Sequence, residues 1–271
     1  MKLTAKQAIG MLAAACATPA PAVAAATAPG TGLVAPMPGG IGIPDADGRL
    51  LGHLPYAEAP PGELTTVTSP GFALGAPRRL QPDAAADLTQ LIETANATPE
   101  IAHQLKGVSC YRAVARQRAV FCRDGMTGDA CRDAVQRARS VGPPGFSEHA
   151  TGYAIDFGVR PAPGCPDLEQ CMAATPAGRW LMAHARDFGF ELSFPAGNAQ
   201  KVTWEPWHWR WVGRSARAAG AMQARQVFAR ARMRFPARPM IDPPPIQTAH
   251  ATPAPLVLPI PLVWPSMFLW G

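Results

Sequence analysis

The chain has 271 residues, 48% of them hydrophobic and 16% charged, with 31 Pro, 25 Gly and a formal net charge of +6. That length holds one core of ordinary domain size plus extensions, and Pro and Gly crowd the two ends, so the ends are the extensions. Without Lys2 and Lys6 the charge is +4, which is not extreme and speaks against a nucleic-acid-binding protein.

Residues 1–24 read as a secretory signal peptide: a basic start, a short apolar run from Ile9 to Ala17, and the small-residue cleavage site Ala22-Val23-Ala24. The run is too short to span a bilayer. Cys16 after Leu12-Ala13-Ala14-Ala15 raises a lipoprotein alternative, but the leucine stands one position early. An ordinary cleaved signal is therefore favoured, with export to the periplasm or cell wall. Residues 25–80, rich in Ala, Pro and Gly, are expected to form a linker running into a loosely structured lead-in. Within it Asp47-Gly48 suggests a turn and Leu50 to Leu54 a short strand.

The folded domain is expected over residues 81–213. Leu88, Leu91 and Ile92 at helical spacing, with Pro82-Asp83 in front, predict a helix over 84–95. A strand at 107–109 and a helix at 113–122 follow. His103, between elements, is expected at the surface or in packing. After signal cleavage five cysteines remain: Cys110, Cys122, Cys131, Cys165 and Cys171. An exported protein permits disulfides, and no Cys-x-x-Cys spacing supports a thiolate metal site. Cys165 with Cys171 would close a tight loop around Pro166, and Cys122 with Cys131 would tie down a helix end. Cys110 is then odd; a Cys110–Cys131 pair and a fully reduced set are the competitors.

The stretch Ser147-Glu148-His149-Ala150-Thr151-Gly152-Tyr153-Ala154-Ile155-Asp156-Phe157-Gly158 carries the chemistry. Gly152, Ala154 and Asp156 alternate with Tyr153, Ile155 and Phe157, which reads as a strand. Asp156 shares its face with residues too small to hide it, while the large residues face core. His149 stands before the strand, after the turn-forming Gly142-Pro143-Pro144-Gly145, and can fold back towards Asp156. The second half is Trp204-Glu205-Pro206-Trp207-His208-Trp209-Arg210-Trp211. Pro206 implies a bend, which lets Glu205 and His208 converge. His149, Asp156 and His208 offer two imidazoles and one carboxylate with a fourth position open to water, the ligand set of a catalytic zinc site. Glu205 is left as the free carboxylate, the general base of a hydrolase. Its competing role is an ion pair with Arg210 that only holds the strand.

The pattern Ser-x-His-x-x-Gly-x-Ala-x-Asp, then Glu-x-x-His in an aromatic segment, resembles the VanY-type D-alanyl-D-alanine carboxypeptidases, whose wider group includes VanX-type dipeptidases and phage endolysin peptidases. Ser109-Cys110-Tyr111-Arg112 followed by Gln117 resembles that family's Ser-x-Tyr-Arg segment, with Cys110 where a small residue is usual. The resemblance covers roughly residues 85–213. It implies Zn²⁺ on His149, Asp156 and His208, and Glu205 as the base. Arg112 would bind the substrate, and Ser147 would orient substrate or site, a turn hydroxyl being its competing role. The implied partner is peptidoglycan, at the D-alanyl-D-alanine ends of its stem peptides. A dipeptidase or endopeptidase on the same scaffold is the alternative, and a non-catalytic wall-binding module a third, which the intact Glu205 argues against.

Residues 176–189 predict a helix ended by Gly189, with His184 inside it and not a ligand. Strands are expected at 190–194 and 202–212, the latter with four tryptophans of which at least two are core. Residues 214–235 form a basic helix, solvated or drawn to an anionic wall. Residues 236–271 form a Pro-rich apolar tail whose prolines exclude a plain transmembrane helix. Short turns between the last strands favour antiparallel pairing. The expected fold is α+β, a small antiparallel sheet flanked by helices with the zinc site on the sheet.

Overall fold

The structure is a computed structural model that describes residues 42–122 and 133–242. At its centre four strands pair antiparallel: β3 (Leu105–Ser109), β4 (Ala154–Val159), β5 (Phe190–Leu192) and β6 (His208–Trp211), in the order β3-β4-β6-β5. A two-stranded antiparallel sheet, β1 (Thr65–Thr66) with β2 (Arg79–Leu80), leads into helix α1 (Pro82–Asn96). Helices α2 (Val114–Cys122), α3 (Ala134–Arg137), α4 (Pro176–His184), α5 (Ala221–Val227) and α6 (Ala229–Arg234) flank the sheet. This is the expected α+β architecture.

The two faces of the four-stranded sheet differ sharply. One carries Ile155, Phe157, Phe190, Leu192, Trp209 and Trp211, which pack with Leu88, Leu91 and Ile92 of α1 into the main core. The indole N–H of Trp211 donates to Asp87 Oδ2 on α1 at 2.9 Å. The opposite face carries Asp156, His208, Arg210 and Glu191. All four are buried, so the charges are sandwiched between the sheet and the segments laid over it. The period of two that separates these sets is the one visible in residues 152–158.

Several boundaries differ from the sequence expectation. The last strand spans only His208–Trp211, and residues 202–207 are irregular. Pro206 has no N–H for a ladder, and the chain turns there, with His208 N–H donating to the Glu205 carbonyl at 3.0 Å. Three tryptophans of this segment, Trp207, Trp209 and Trp211, are buried. Leu50 to Leu54 is a tight turn closed by a Leu50–His53 bridge instead of a strand. Residues 214–235 hold two short helices, α5 and α6, and Gly220 with φ 65° sits at the start of the first. In the lead-in, Leu54, Leu64, Val67 and Phe72 are buried. Phe72 stacks edge-on against Phe157, so this stretch is packed on the domain.

Cys165 and Cys171 form the expected disulfide. Cys122 is disulfide-bonded as well, and its expected partner Cys131 lies outside the described residues. Cys110 is free and buried, as the odd cysteine should be. The signal peptide, Cys16 and most of the apolar tail also lie outside the described residues. No helix among the described residues is long and apolar enough to cross a membrane.

Candidate metal centre

Sheet register brings the site together. Asp156 of β4 is paired with His208 of β6 on one side and with Ser109 of β3 on the other. Three residues far apart in sequence thus form one row across three strands. His149 arrives from a short 3-10 helix, Glu148–Thr151, that precedes β4. Gly152 ends that helix at φ 72°, a left-handed conformation, and a Cβ there would lie 2.6 Å from Leu64 Cδ2. The expected fold-back of His149 towards Asp156 is therefore a glycine-capped turn.

One donor atom each from His149, Asp156 and His208 lies within 4.8 Å of the others, and all three side chains are buried. The ring nitrogens are assigned by their partners. Nδ1 of His149 lies 2.6 Å from the Cys110 carbonyl, which only accepts, so Nδ1 donates. Nε2 is then the free lone pair, and it faces Asp156 Oδ2 at 3.0 Å. His208 is held the other way round. Its Nε2 meets Glu148 Oε2 at 3.0 Å, and its Nδ1 faces Asp156 Oδ1 at 2.9 Å. Each imidazole thus commits its remote nitrogen outward and turns the other inward, as ligating histidines do.

Glu148 is the residue that sequence reading missed. Its Oε1 accepts from Arg210 at 3.0 Å and from the Tyr56 hydroxyl at 3.3 Å; its Oε2 also accepts from Ser193 Oγ at 2.6 Å. Burial opposes its ionisation, but Arg210 and His208 outweigh burial and hold the carboxyl down at about 2. No spacing signals this role. The only hint is a carboxylate wedged between Ser147 and His149 with no obvious exposure.

The local electrostatics favour a cation. Burial resists the charge on Asp156, yet His149 and His208 hold its carboxyl far below the usual range. Burial also resists a charged His208, yet the Asp156 and Glu148 carboxylates raise its pKa to about 10. His149, desolvated, is pushed down. With two imidazole nitrogens and a carboxylate oxygen converging among buried carboxylates, the donor set fits zinc.

Arg112 and Glu205 complete the wall of a cavity of about 480 Å³, which His149, Asp156 and His208 also line. The Arg112 guanidinium donates from Nη1 to Gln117 Oε1 at 2.7 Å and from Nη2 to Ser109 Oγ at 2.7 Å. Nη2 also approaches Asp156 Oδ2 at 3.4 Å. Gln117 is itself anchored, its amide donating to the Gly142 carbonyl at 2.6 Å. Glu205 is 5% exposed and, among the described residues, takes part in no ion pair. Arg210 pairs with Glu148 at 3.0 Å and Glu191 at 3.3 Å, so the competing role for Glu205 is not the observed one. Burial pushes the Glu205 carboxyl up to about 8. Ser147 lines the cavity and its side chain makes no capping hydrogen bond, unlike a turn hydroxyl. His103 and His184 are exposed and remote from this constellation.

The profile of the VanY D-alanyl-D-alanine carboxypeptidases matches residues 77–214. The chain belongs to that family. YodJ of Bacillus subtilis (strain 168) is 32% identical over 124 residues, 45% of this chain and 43% of that one. A D-alanyl-D-alanine carboxypeptidase of Enterococcus faecium is 34% identical over 73 residues, 26% of this chain and 22% of that one. The chain thus spans less than half the length of these curated relatives. Among solved structures, the LdcB LD-carboxypeptidase superposes with a TM-score of 0.51 at 26% identity, covering 65% of this chain and 81% of that one.

Proposed function

We propose that the protein is an exported zinc peptidase that removes the terminal D-alanine from D-alanyl-D-alanine ends of peptidoglycan stem peptides. Residues 1–24 act as the signal peptide, residues 25–80 as linker and lead-in, and residues 81–213 as the catalytic domain. The basic segment 214–235 and the tail 236–271 follow it. His149, Asp156 and His208 hold the zinc. The observation that carries the reading is the row Ser109–Asp156–His208 across three strands, with His149 folded onto it and an unpaired buried Glu205 in the same cavity.

When bound, zinc supplies Lewis acidity, which polarises a carbonyl and makes water more acidic. The protein's own groups do the rest. Glu205 accepts the proton of the attacking water as the new C–O bond forms. It returns that proton to the leaving amine as the C–N bond breaks. Burial makes the Glu205 carboxylate a stronger base than an ordinary one, and a neighbouring dication favours the ionised form that takes the proton. Arg112, fixed by Gln117 and Ser109, hydrogen-bonds the substrate's terminal carboxylate or its scissile carbonyl. Ser147 orients substrate at the cavity wall.

The bond cut is tested by digesting purified muropeptides and weighing the products. Loss of one alanine from a pentapeptide stem is the expected result. Loss only from a tetrapeptide stem, the LD-bond chemistry named for the LdcB structure, would move the assignment to that bond. Release of a dipeptide or cleavage of a cross-link would make it a dipeptidase or endopeptidase, and no product from either stem would refute a peptidase.

A further inference from the structure

Behind His208 a row of buried charges of alternating sign starts at Glu148, itself on the cavity wall, and runs on to Arg210, Glu191 and Arg232, which do not line the cavity. Glu148 holds His208 Nε2 at 3.0 Å, and Arg210 holds Glu148 at 3.0 Å. Glu191 then receives Arg210 Nε at 3.3 Å. Arg232 of α6 closes the chain on Glu191 with two contacts, Nη2 at 3.0 Å and Nε at 3.3 Å. Glu191 is completely buried, Arg210 is 1% exposed and Arg232 9%. The Ile241 amide donates to Glu191 Oε1 at 2.8 Å, and Arg232 Nη2 also donates to the Ile241 carbonyl. Arg210 lies over the Phe228 ring, 5.4 Å from its centroid, just before α6.

Four buried charges in a row are not an efficient source of stability. Desolvation can consume the Coulombic gain, and apolar replacements of equal volume are often as stable. What such a row does supply is fixed geometry, because each fork has one partner on each side. Arg232 and Ile241 lie beyond residues 77–214, the extent of the family match, so the row ties the C-terminal segment to the site.

We infer that Arg232 and Glu191 are positioning residues for the metal centre, holding His208 in its ligating orientation through Arg210 and Glu148, and that the segment after residue 214 is thereby a working part of the site. The inference rests on the zinc reading above. Outer partners of ligating histidines typically change metal affinity about 10–100-fold when removed. Arg232, three ion pairs beyond Glu148, is expected at the lower end of that range.

The test measures zinc affinity of the full chain by competition with a chromogenic chelator, alongside thermal melting. Arg232→Met should weaken zinc about tenfold, and Arg232→Lys, which keeps the charge but not the fork, should weaken it less. Arg217→Met, exposed on the same segment, should change nothing. A lower melting temperature for Arg232→Met with wild-type zinc affinity would overturn the inference, because the row would then serve stability alone. Should Arg232→Met fail to fold, Arg232→Lys decides: reduced affinity supports the role and unchanged affinity overturns it. A wild-type protein that binds no zinc would instead overturn the reading of the site, and this inference with it.

Discussion

Arg112 and Asp156 lie 3.4 Å apart, within the reach of an arginine that supports the metal ligand. The geometry argues otherwise. Its two strong hydrogen bonds, both 2.7 Å, go to Gln117 and Ser109, and the Asp156 contact is the longest of the three. Asp156 also retains two imidazole partners without it. Arg112→Ala is therefore expected to bind zinc normally and to lose turnover by about 10²–10³, the usual effect of deleting a group that stabilises developing charge. Metal content and single-turnover rate, measured together, check this; loss of zinc would make Arg112 structural. Cys110 offers a second test at this scale. Its thiol is 2% exposed, and burial pushes its pKa well above the ordinary value. At pH 8 the reactive thiolate is essentially absent, so iodoacetamide should label Cys110 only after unfolding. Rapid labelling of the native protein, located by peptide mapping, would contradict its burial. The donor side chains of the site are legible in sequence because metal chemistry restricts them to a few residue types. The Cys110 carbonyl and Glu148 are not, since a backbone acceptor has no sequence signature and Glu148 acts only through the register that sets His208 beside it.

Among the elements, β4 is the easiest to read. Its alternation of small and large residues assigns Asp156 to one face and Ile155 and Phe157 to the other, as observed. The segment 202–207 misleads because aromatic residues favour strands, while the turn at Pro206 is decided by one missing N–H. The short helices α5 and α6 differ from one continuous helix because they meet at Phe228, whose φ of −96° and ψ of 10° depart from helical values. Helix α4 gives the sharpest packing test. Thr175 caps it by accepting from the Gly178 amide at 2.9 Å, and a Cβ on Gly178 would run into the Met172 carbonyl. Alanine is intrinsically the better helix former by about 1 kcal/mol, yet the backbone clash should dominate. Gly178→Ala is expected to destabilise by about 1–3 kcal/mol, lowering the melting temperature by about 2–4 °C per kcal/mol. An unchanged or raised melting temperature would mean that the 3-10 turn before α4 yields without cost.

At the scale of the whole molecule, one sheet separates an apolar core from a layer of buried charge. Asp156, Glu148, Glu191 and Glu205 lie in that layer with Arg210 and Arg232, and the half-buried Arg112 borders it. Such a layer is stable only when its charges are matched, and a zinc ion bound by the folded arrangement of His149, Asp156 and His208 adds stability by linkage. Stripping zinc should therefore destabilise the entire domain as well as abolish cleavage. For free zinc at about 1,000 times its dissociation constant the loss is about 4 kcal/mol. Differential scanning calorimetry with and without a strong chelator, with restoration by added zinc, measures it. Coincident melting curves would show that the site is balanced without metal.

The proposed metal centre of His149, Asp156 and His208 works with Glu205 as its base. The most direct measurement is the cleavage rate of zinc-loaded Glu205→Gln on a stem pentapeptide, with zinc content and melting temperature recorded on the same sample. Glutamine keeps the size of the side chain but cannot take a proton at neutral pH. Removing a general base costs about 10²–10⁴ in rate, and the loss should lie at the upper end if, as proposed, Glu205 also protonates the leaving amine. One zinc per chain, a near wild-type melting temperature and that loss of rate are expected. A folded, zinc-loaded Gln variant that cleaves at close to the wild-type rate would contradict Glu205 as the base.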